Sequence, residues 1–368
     1  MGELTTGFVI AGQYAPIFNG TILRTLNGGL TWDTTNFNYN NYAINFINDS
    51  LGFLAGQDMT IYRTTDLGFS WNFISGGGPG LNDISGLHFL NADSGFITSG
   101  FRLYKTDNGS QNIQMEYDSL GWIGYPESSK IFFTDSLIGY VINSSIAKTI
   151  NRGLDWYNLS TPINFVPKSA YFFNSQEGII VGDQGKVSKT FDGGLSWSVP
   201  DLIGLYPLHD IHFVSDSIGF IIGGKDSFNN QVSNGIIYTT FNRGLTWTTL
   251  NSSYHDALLK FSFPSDSVGY AIGFNGLIIK IRNANSMFTS ITTLSTNPRK
   301  HEFFPNPCRT TLNIEGIESS PFRIFNVLGE IIMNGALDFG ITSIDVSEFA
   351  SGIYILVIGN RTEKFIKE

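Results

Sequence analysis

The sequence predicts an all-β chain: a seven-bladed β-propeller over residues 1–295, a linker at 296–302 and a small antiparallel β-sandwich over 303–368. Three observations carry this. A glycine-headed mark recurs seven times along the first part, and a box ending in tryptophan follows it repeatedly. The chain is also rich in glycine (41 of 368) and aromatics (14%), while only 14% of it is charged. Ordinary soluble chains carry roughly 25% charged residues, and this bias suits short strands joined by tight turns.

The first mark reads Asp49-Ser50-Leu51-Gly52-Phe53, Asp216-Ser217-Ile218-Gly219-Phe220 and Asp266-Ser267-Val268-Gly269-Tyr270, with looser copies at Gly7, Gly95, Gly139 and Gly178. Successive glycines are separated by 45, 43, 44, 39, 41 and 50 residues. Each repeat holds four short apolar segments; in the sixth they run 208–214, 219–223, 235–240 and 245–250. Four strands per unit at this spacing are the mark of a propeller, and no segment sustains a helical period. Repeats two to seven have an aromatic first strand ahead of the glycine, centred on Phe46, Phe89, Phe132, Phe172, Phe213 and Phe263. Repeat one offers only residues 1–6 there, so its blade is expected to be incomplete, as if an N-terminal piece were missing. The start also shows no signal peptide.

The second mark reads Thr25-Leu26-Asn27-Gly28-Gly29-Leu30-Thr31-Trp32 and recurs at 64–71, 149–156, 190–197 and 240–247. A damaged copy begins at Thr106, and a decayed one lies at Lys280-Ile281-Arg282-Asn283. Glycine supplies the positive φ that the turn needs, and the Asn or Asp accepts backbone hydrogens across it. Asn27, Asp66, Asn151, Asp192 and Asn242, with Trp32, Trp71, Trp156, Trp197 and Trp247, are therefore expected to be structural. Three of the five are neutral Asn, which weakens calcium binding or catalysis.

After Ser295 the pattern changes. A linker gives way to Phe303-Phe304-Pro305-Asn306-Pro307, and strand-like runs follow at 311–314, 322–326, 330–333, 341–346, 353–358 and 361–366. About 66 residues is a marginal size for a domain standing alone.

Two resemblances follow from these residues. The repeats, with Asp-Ser-x-Gly-Phe and Arg/Lys-Thr-x-Asn/Asp-x-Gly-x-Thr/Ser-Trp, resemble the photosystem II assembly-factor-like propeller and its relatives with sialidase-type Asp boxes. That implies the fold but no particular activity. The tail resembles the C-terminal sorting domain of type IX secretion substrates in Bacteroidetes and related bacteria. Its matching pieces are Phe304-Pro305-Asn306-Pro307, Phe325-Asn326-Val327-Leu328-Gly329-Glu330, Ile344-Asp345-Val346-Ser347, Ser351-Gly352-Ile353-Tyr354-Ile355 and Lys364-Phe365-Ile366-Lys367. This resemblance implies export to the cell surface or medium, with the outer-membrane secretion machinery as a partner.

Chemistry is sparse. A sialidase needs arginines converging on a carboxylate and an activated tyrosine. Arg24 and Arg63 share one repeat position with Lys105, Lys148, Lys189 and Lys280, and Arg152 and Arg243 share another inside the box. Register-bound arginines read as structural. The repeated cation is expected to lay its stem along the blade with its head in water, or else to form a partial ring of positive charge. His88 and His212 precede equivalent strand phenylalanines, so no metal site is expected and no cofactor is implied. Gly76-Gly77-Gly78-Pro79-Gly80 lacks the lysine and helix of a phosphate loop. The single cysteine, Cys308, reads as a small buried residue. A net charge of -9 without basic runs argues against nucleic acid, and no stretch of 18 apolar residues offers a transmembrane helix.

The register-breaking insertions are the better clue to binding. One, 117–129, carries Tyr117, Trp122 and Tyr125; the other, 225–234, begins at Lys225. The reading is a secreted or cell-surface propeller that binds a protein or glycan without catalysis. The rivals are a secreted glycoside hydrolase or lyase of the sialidase-like type, and an assembly-factor-like protein.

Overall fold

The computed structural model describes residues 6–12, 20–29, 31–77, 82–100, 102–117, 129–143, 145–159, 164–225, 234–286, 289–293, 302–316, 320–327, 329–337, 340–358 and 361–368. The chain divides into two compact units, Met1–Thr296 and Asn297–Glu368. The first unit carries seven antiparallel sheets among the described residues, six of four strands and one of three, each built from consecutive strands. It is a β-propeller.

Sheet six shows the plan. Leu208–Phe213 pairs with Gly219–Lys225, which pairs with Asn234–Thr240, which pairs with Thr248–Tyr254. The last strand begins three residues after the apolar run read from sequence. Leu245 belongs to the box turn instead and is 71% exposed. The first strands of neighbouring sheets lie beside one another and form the inner wall. Sheet one has Gly7–Gly12, Gly20–Thr25 and Asp33–Phe37 among the described residues; the expectation of an incomplete first blade falls on residues 1–5, outside them.

The glycine mark has a packing cause. In sheets two to six the glycine opens the second strand directly opposite the phenylalanine that ends the first, as in Phe89↔Gly95 and Phe213↔Gly219. The ring lies flat on the glycine, so a Cβ at Gly95, Gly178 or Gly219 would come 2.6–2.7 Å from it. In sheet four the ring is that of Phe133, one residue later than the sequence centre at Phe132, because the pairing to Gly139 fixes the register there. In sheets one to four and six the aromatic after the glycine then stacks on the next sheet's phenylalanine, while sheet five has Ile179 in that place. Phe8 meets Phe46 at 4.5 Å, Phe53 meets Phe89 at 3.6 Å and Tyr140 meets Phe172 at 4.0 Å. The blades are thus joined by an aromatic ladder whose rungs are written in the motif Gly-Phe or Gly-Tyr.

The second unit is a sandwich. One sheet contains Glu302–Phe304, Thr311–Gly316 and Gly340–Asp345; the other contains Ile331–Leu337, Ser320–Asn326, Gly352–Ile358 and Arg361–Lys367. Alternate residues face inward, and Leu312, Ile314, Ile324, Leu356 and Phe365 are buried with Cys308 between them. Burial pushes the Cys308 thiol pKa up. The backbone of Cys308 also bonds Ile366 and Glu368, fixing the final strand to the Pro-Asn-Pro turn.

Candidate functional site

The box turns close on themselves. In sheet five, Thr190 Oγ1 accepts the Gly194 N–H at 2.8 Å and donates to Asp192 Oδ1 at 2.8 Å, and Asp192 Oδ1 accepts the Ser196 N–H at 2.8 Å. The same bonds recur around Asn27, Asp66, Asn151 and Asn242. Two consecutive residues take positive φ, Gly193 and Gly194 here, Arg152 and Gly153 in sheet four, Arg243 and Gly244 in sheet six. Ser196 and the turn amides hold the Asp192 carboxyl at about 2, and Ser70 does the same for Asp66. These acceptors are engaged by the turn itself. Among the box tryptophans only Trp156 is buried; Trp71, Trp197 and Trp247 meet their own blade's phenylalanine edge-on and are partly buried.

At Arg24, Lys148 and Lys280 the repeated cation does something else than reach water or build a charged ring. Lys148 Nζ donates to the Gly193 carbonyl in the next blade's box at 2.8 Å, and Tyr140 Oη joins it there at 3.1 Å. Arg24 points at the Leu67 carbonyl of the next box, covers the Phe69 ring at 3.5 Å and pairs with Asp33 at 3.0 Å. Lys280 of sheet seven donates to the Gly28 carbonyl of sheet one at 2.9 Å. Arg24, Lys148 and Lys280 are accordingly buried. Arg152 bonds the Ser136 carbonyl, while Arg243 pairs with Glu177 at 2.6 Å and lies over Phe173. Arg24, Lys148 and Lys280 are thus turned into the fold rather than toward a substrate carboxylate.

Trp122 and Tyr125 lie outside the described residues. Tyr117 ends the strand Gln114–Tyr117, and Lys225 ends Gly219–Lys225, where it is partly buried. Both insertions leave from the edge where the innermost strands begin. The first returns to the fold at Ser129, next to Lys130; the second begins beside Gly224, whose backbone bonds His209.

Those neighbours belong to a cluster the sequence reading missed. Lys130, Ser169, Asp210 and Lys260 hold one register, three residues ahead of Phe133, Phe172, Phe213 and Phe263 in four successive blades. Lys130 Nζ contacts Asp210 Oδ1 at 3.0 Å and Ser169 Oγ at 3.0 Å, bridging sheets four to six. Ser169 Oγ donates to Asp210 at 2.6 Å, and the Phe261 N–H of sheet seven donates to the other carboxylate oxygen at 2.9 Å. Burial works to raise the Asp210 pKa, but Lys130, Lys260 and these hydrogen bonds overcome it and hold the group ionised, well below the usual carboxylate range. Lys168 pairs with Asp183 at 3.5 Å. Burial pushes the Lys260 pKa down, against the opposing charge of Asp210 and with that of Lys130 and Lys168. His209 is pushed to about 4 by burial and by Lys168 and Lys260, and its Nε2 has no partner among the described residues. The sequence signal was the shared register itself, a charged or hydroxyl residue three places before the strand phenylalanine.

His88 and His212 stack on Phe133 and Phe263, and burial depresses both. Among the described residues no group of three His, Cys, Asp or Glu is placed to hold a metal.

An inner wall of first strands, with an aromatic ladder between blades, defines the propeller class. Solved propellers match it. A YCF48 with bound D1 peptide superposes with TM-score 0.58 at 16% identity, covering 75% of this chain and 94% of that one. YCF48 from Cyanidioschyzon merolae gives 0.57 at 16%, covering 78% and 98%. The GH74 enzyme of Niastella koreensis gives 0.52 at 12%, covering 94% of this chain and 63% of that one. No curated protein matches the chain. Residues 302–368 match the secretion system C-terminal sorting domain. The chain is thus a propeller exported by the type IX system to the cell surface or medium, and no helix among its described residues is long and apolar enough to cross a membrane.

Proposed function

We propose that this exported propeller is a non-enzymatic binding module whose seven blades close into a ring. Its protein or glycan ligand is taken at the face where the innermost strands begin. The observation that carries the reading is that both register-breaking insertions, 117–129 and 225–234, are rooted at the Lys130–Asp210 cluster. A rigid scaffold with loops collected at one end is the usual layout of a binding surface. The YCF48 of the same fold holds a peptide, which favours a protein ligand. A glycoside hydrolase needs a carboxyl with a raised pKa to act as general acid. Asp210, the buried acid of this face, is held in the opposite direction.

The test is affinity capture from the native cell surface with tail-deleted protein, run beside W122A. The variant is expected to fold as the parent does while losing about 2 kcal/mol of ligand affinity. Destabilisation of W122A as large as that of W197A, or turnover of a polysaccharide panel by the parent, would overturn the reading.

A further inference from the structure

Tyr62, Tyr104 and Tyr238 hold one register, two residues ahead of the box threonine on the third strand of sheets two, three and six. Two of the three are covered. Phe37 meets Tyr62 edge-on at 4.9 Å, with Trp71 in the same apolar cluster. Tyr238 is buried with Ile203 and Trp247 beside it, and the Gly204 backbone closes on its hydroxyl. Tyr104 has neither kind of cover. Counted from the box, Ile113 stands where Trp71 stands, and Gly76 stands where Phe37 stands. Gly76 takes a φ of 98°, a conformation that favours glycine, so that position supplies no ring. A cavity of about 400 Å³ opens there between sheets two and three, lined by Tyr104, Ile113, Met59 and Gly76. Small-ligand pockets span roughly 300–1,000 Å³. Among its described lining residues Tyr104 is the one aromatic, and Asn82, Gln111 and Asn112 are exposed amides.

We propose that this groove is a docking site for an aromatic side chain, Trp or Phe, carried by a partner polypeptide. The sister groove shows what the shape holds: a ring lies edge-on to Tyr62, with an indole in the same cluster. The partner's ring takes that place over Tyr104, against Met59 and Ile113, both of which already pack on the apolar cluster shared by sheets two and three. Each of the three amides offers a donor and an acceptor, which suit the N–H and C=O groups of the segment that bears the ring. A sugar fits less well, because it would set hydroxyls against Met59 and Ile113 without bonds for them. The inference goes beyond the reading above. This groove lies along the third and fourth strands, apart from the inner wall, and either place can bind without the other.

The experiment is a ligand-observed NMR titration of the full chain with unlabelled acetyl-Gly-Trp-Gly-amide and its Ala twin. The Trp peptide is expected to bind saturably and the twin at least tenfold more weakly. I113W restores the repeat's own tryptophan and should fill the groove, so binding falls about tenfold or more while the fold is kept. Y104L should lose binding to the same extent, and Y104F, which keeps the ring, should retain most of it. If I113W fails to fold, Y104L read against Y104F carries the test. W122A should change nothing. Equal binding of the two peptides, or Trp-peptide binding undiminished in Y104L, would overturn the proposal. So would binding of cellotriose, blocked by I113W, in place of the peptide. Trp-peptide binding that survives I113W but is lost in W122A would also overturn it and leave the reading above standing.

Discussion

At the scale of single residues, the box turn shows how one hydroxyl organises eight residues. Thr190 is buried and bonds both the Gly194 N–H and the Asp192 carboxylate, so the following residues can take two positive φ values in succession. The sequence made the glycine and the Asx legible, because their backbone needs are local. It did not reveal that Leu67, Arg152 and Arg243 would share the left-handed conformation, since only the closed hydrogen-bond set imposes it on them. The Asp copies carry a pH dependence that the Asn copies lack. Asp66 and Asp192 titrate at about 2, below their ordinary value, so the unfolded chain takes up protons first as acid is added. Their contribution is complete above the ordinary Asp pKa and is lost as pH falls through about 2. The double variant D66N/D192N should therefore melt close to the parent at pH 7, as Asn27 and Asn242 make the equivalent bonds. It should lose less stability than the parent between pH 4 and pH 2. Thermal melts across that range check this, and parallel acid limbs would contradict it.

At the scale of elements, phenylalanine, glycine and the following aromatic form one unit repeated from blade to blade. Phe213 covers Gly219, Phe220 reaches on to Phe263, and Trp247 closes the outer edge of the Phe213 ring. A side chain at the glycine has no place to go: its Cβ would meet the Phe213 ring at 2.6 Å, and that ring is only 3% exposed. G219A is thus expected to lower propeller stability by about 1–3 kcal/mol, the usual cost of forcing atoms into a packed core. G352A is the matched control, because nothing lies within 4 Å of the Cβ it would add. Its effect should stay within about 0.5 kcal/mol. Denaturant melts of both variants decide the matter, and an unaffected G219A would show that the ladder yields. This unit also explains what the sequence could and could not say about the site. Aromatic periodicity announces the strands, but the polar register three residues earlier varies as Lys, Ser, Asp and Lys, so no repeated letter draws attention to it.

At the scale of the whole molecule, the link from sheet seven to sheet one is the same device that joins sheets four and five. Lys280 reaches the Gly28 carbonyl as Lys148 reaches that of Gly193, and Tyr270 lies beside Gly28 as Tyr140 lies beside Gly193. The seventh box has lost its letters and its pair of positive-φ residues, keeping one at Asn283 (φ 52°), yet a fourth strand still follows at Ser290–Thr293. Among the described residues the propeller's apolar clusters draw on positions between 8 and 291, and the sandwich's cluster on positions between 308 and 365. This separation gives the tail a role that can be removed without unfolding what it carries. Deleting residues 302–368, the matched sorting domain, should leave the propeller's melting transition within a few degrees of its value in the full chain, because no buried side chain of its core is lost. The same deletion should keep the protein from reaching the cell surface or medium, since the sorting information lies in the removed segment. Cell fractionation with a full-length control reads the second outcome, and a melt of the purified truncation reads the first. Surface or medium levels equal to those of the full chain would show that another part of the sequence directs export, and a truncation that cannot fold would show that the sandwich supports the ring as well as addressing it.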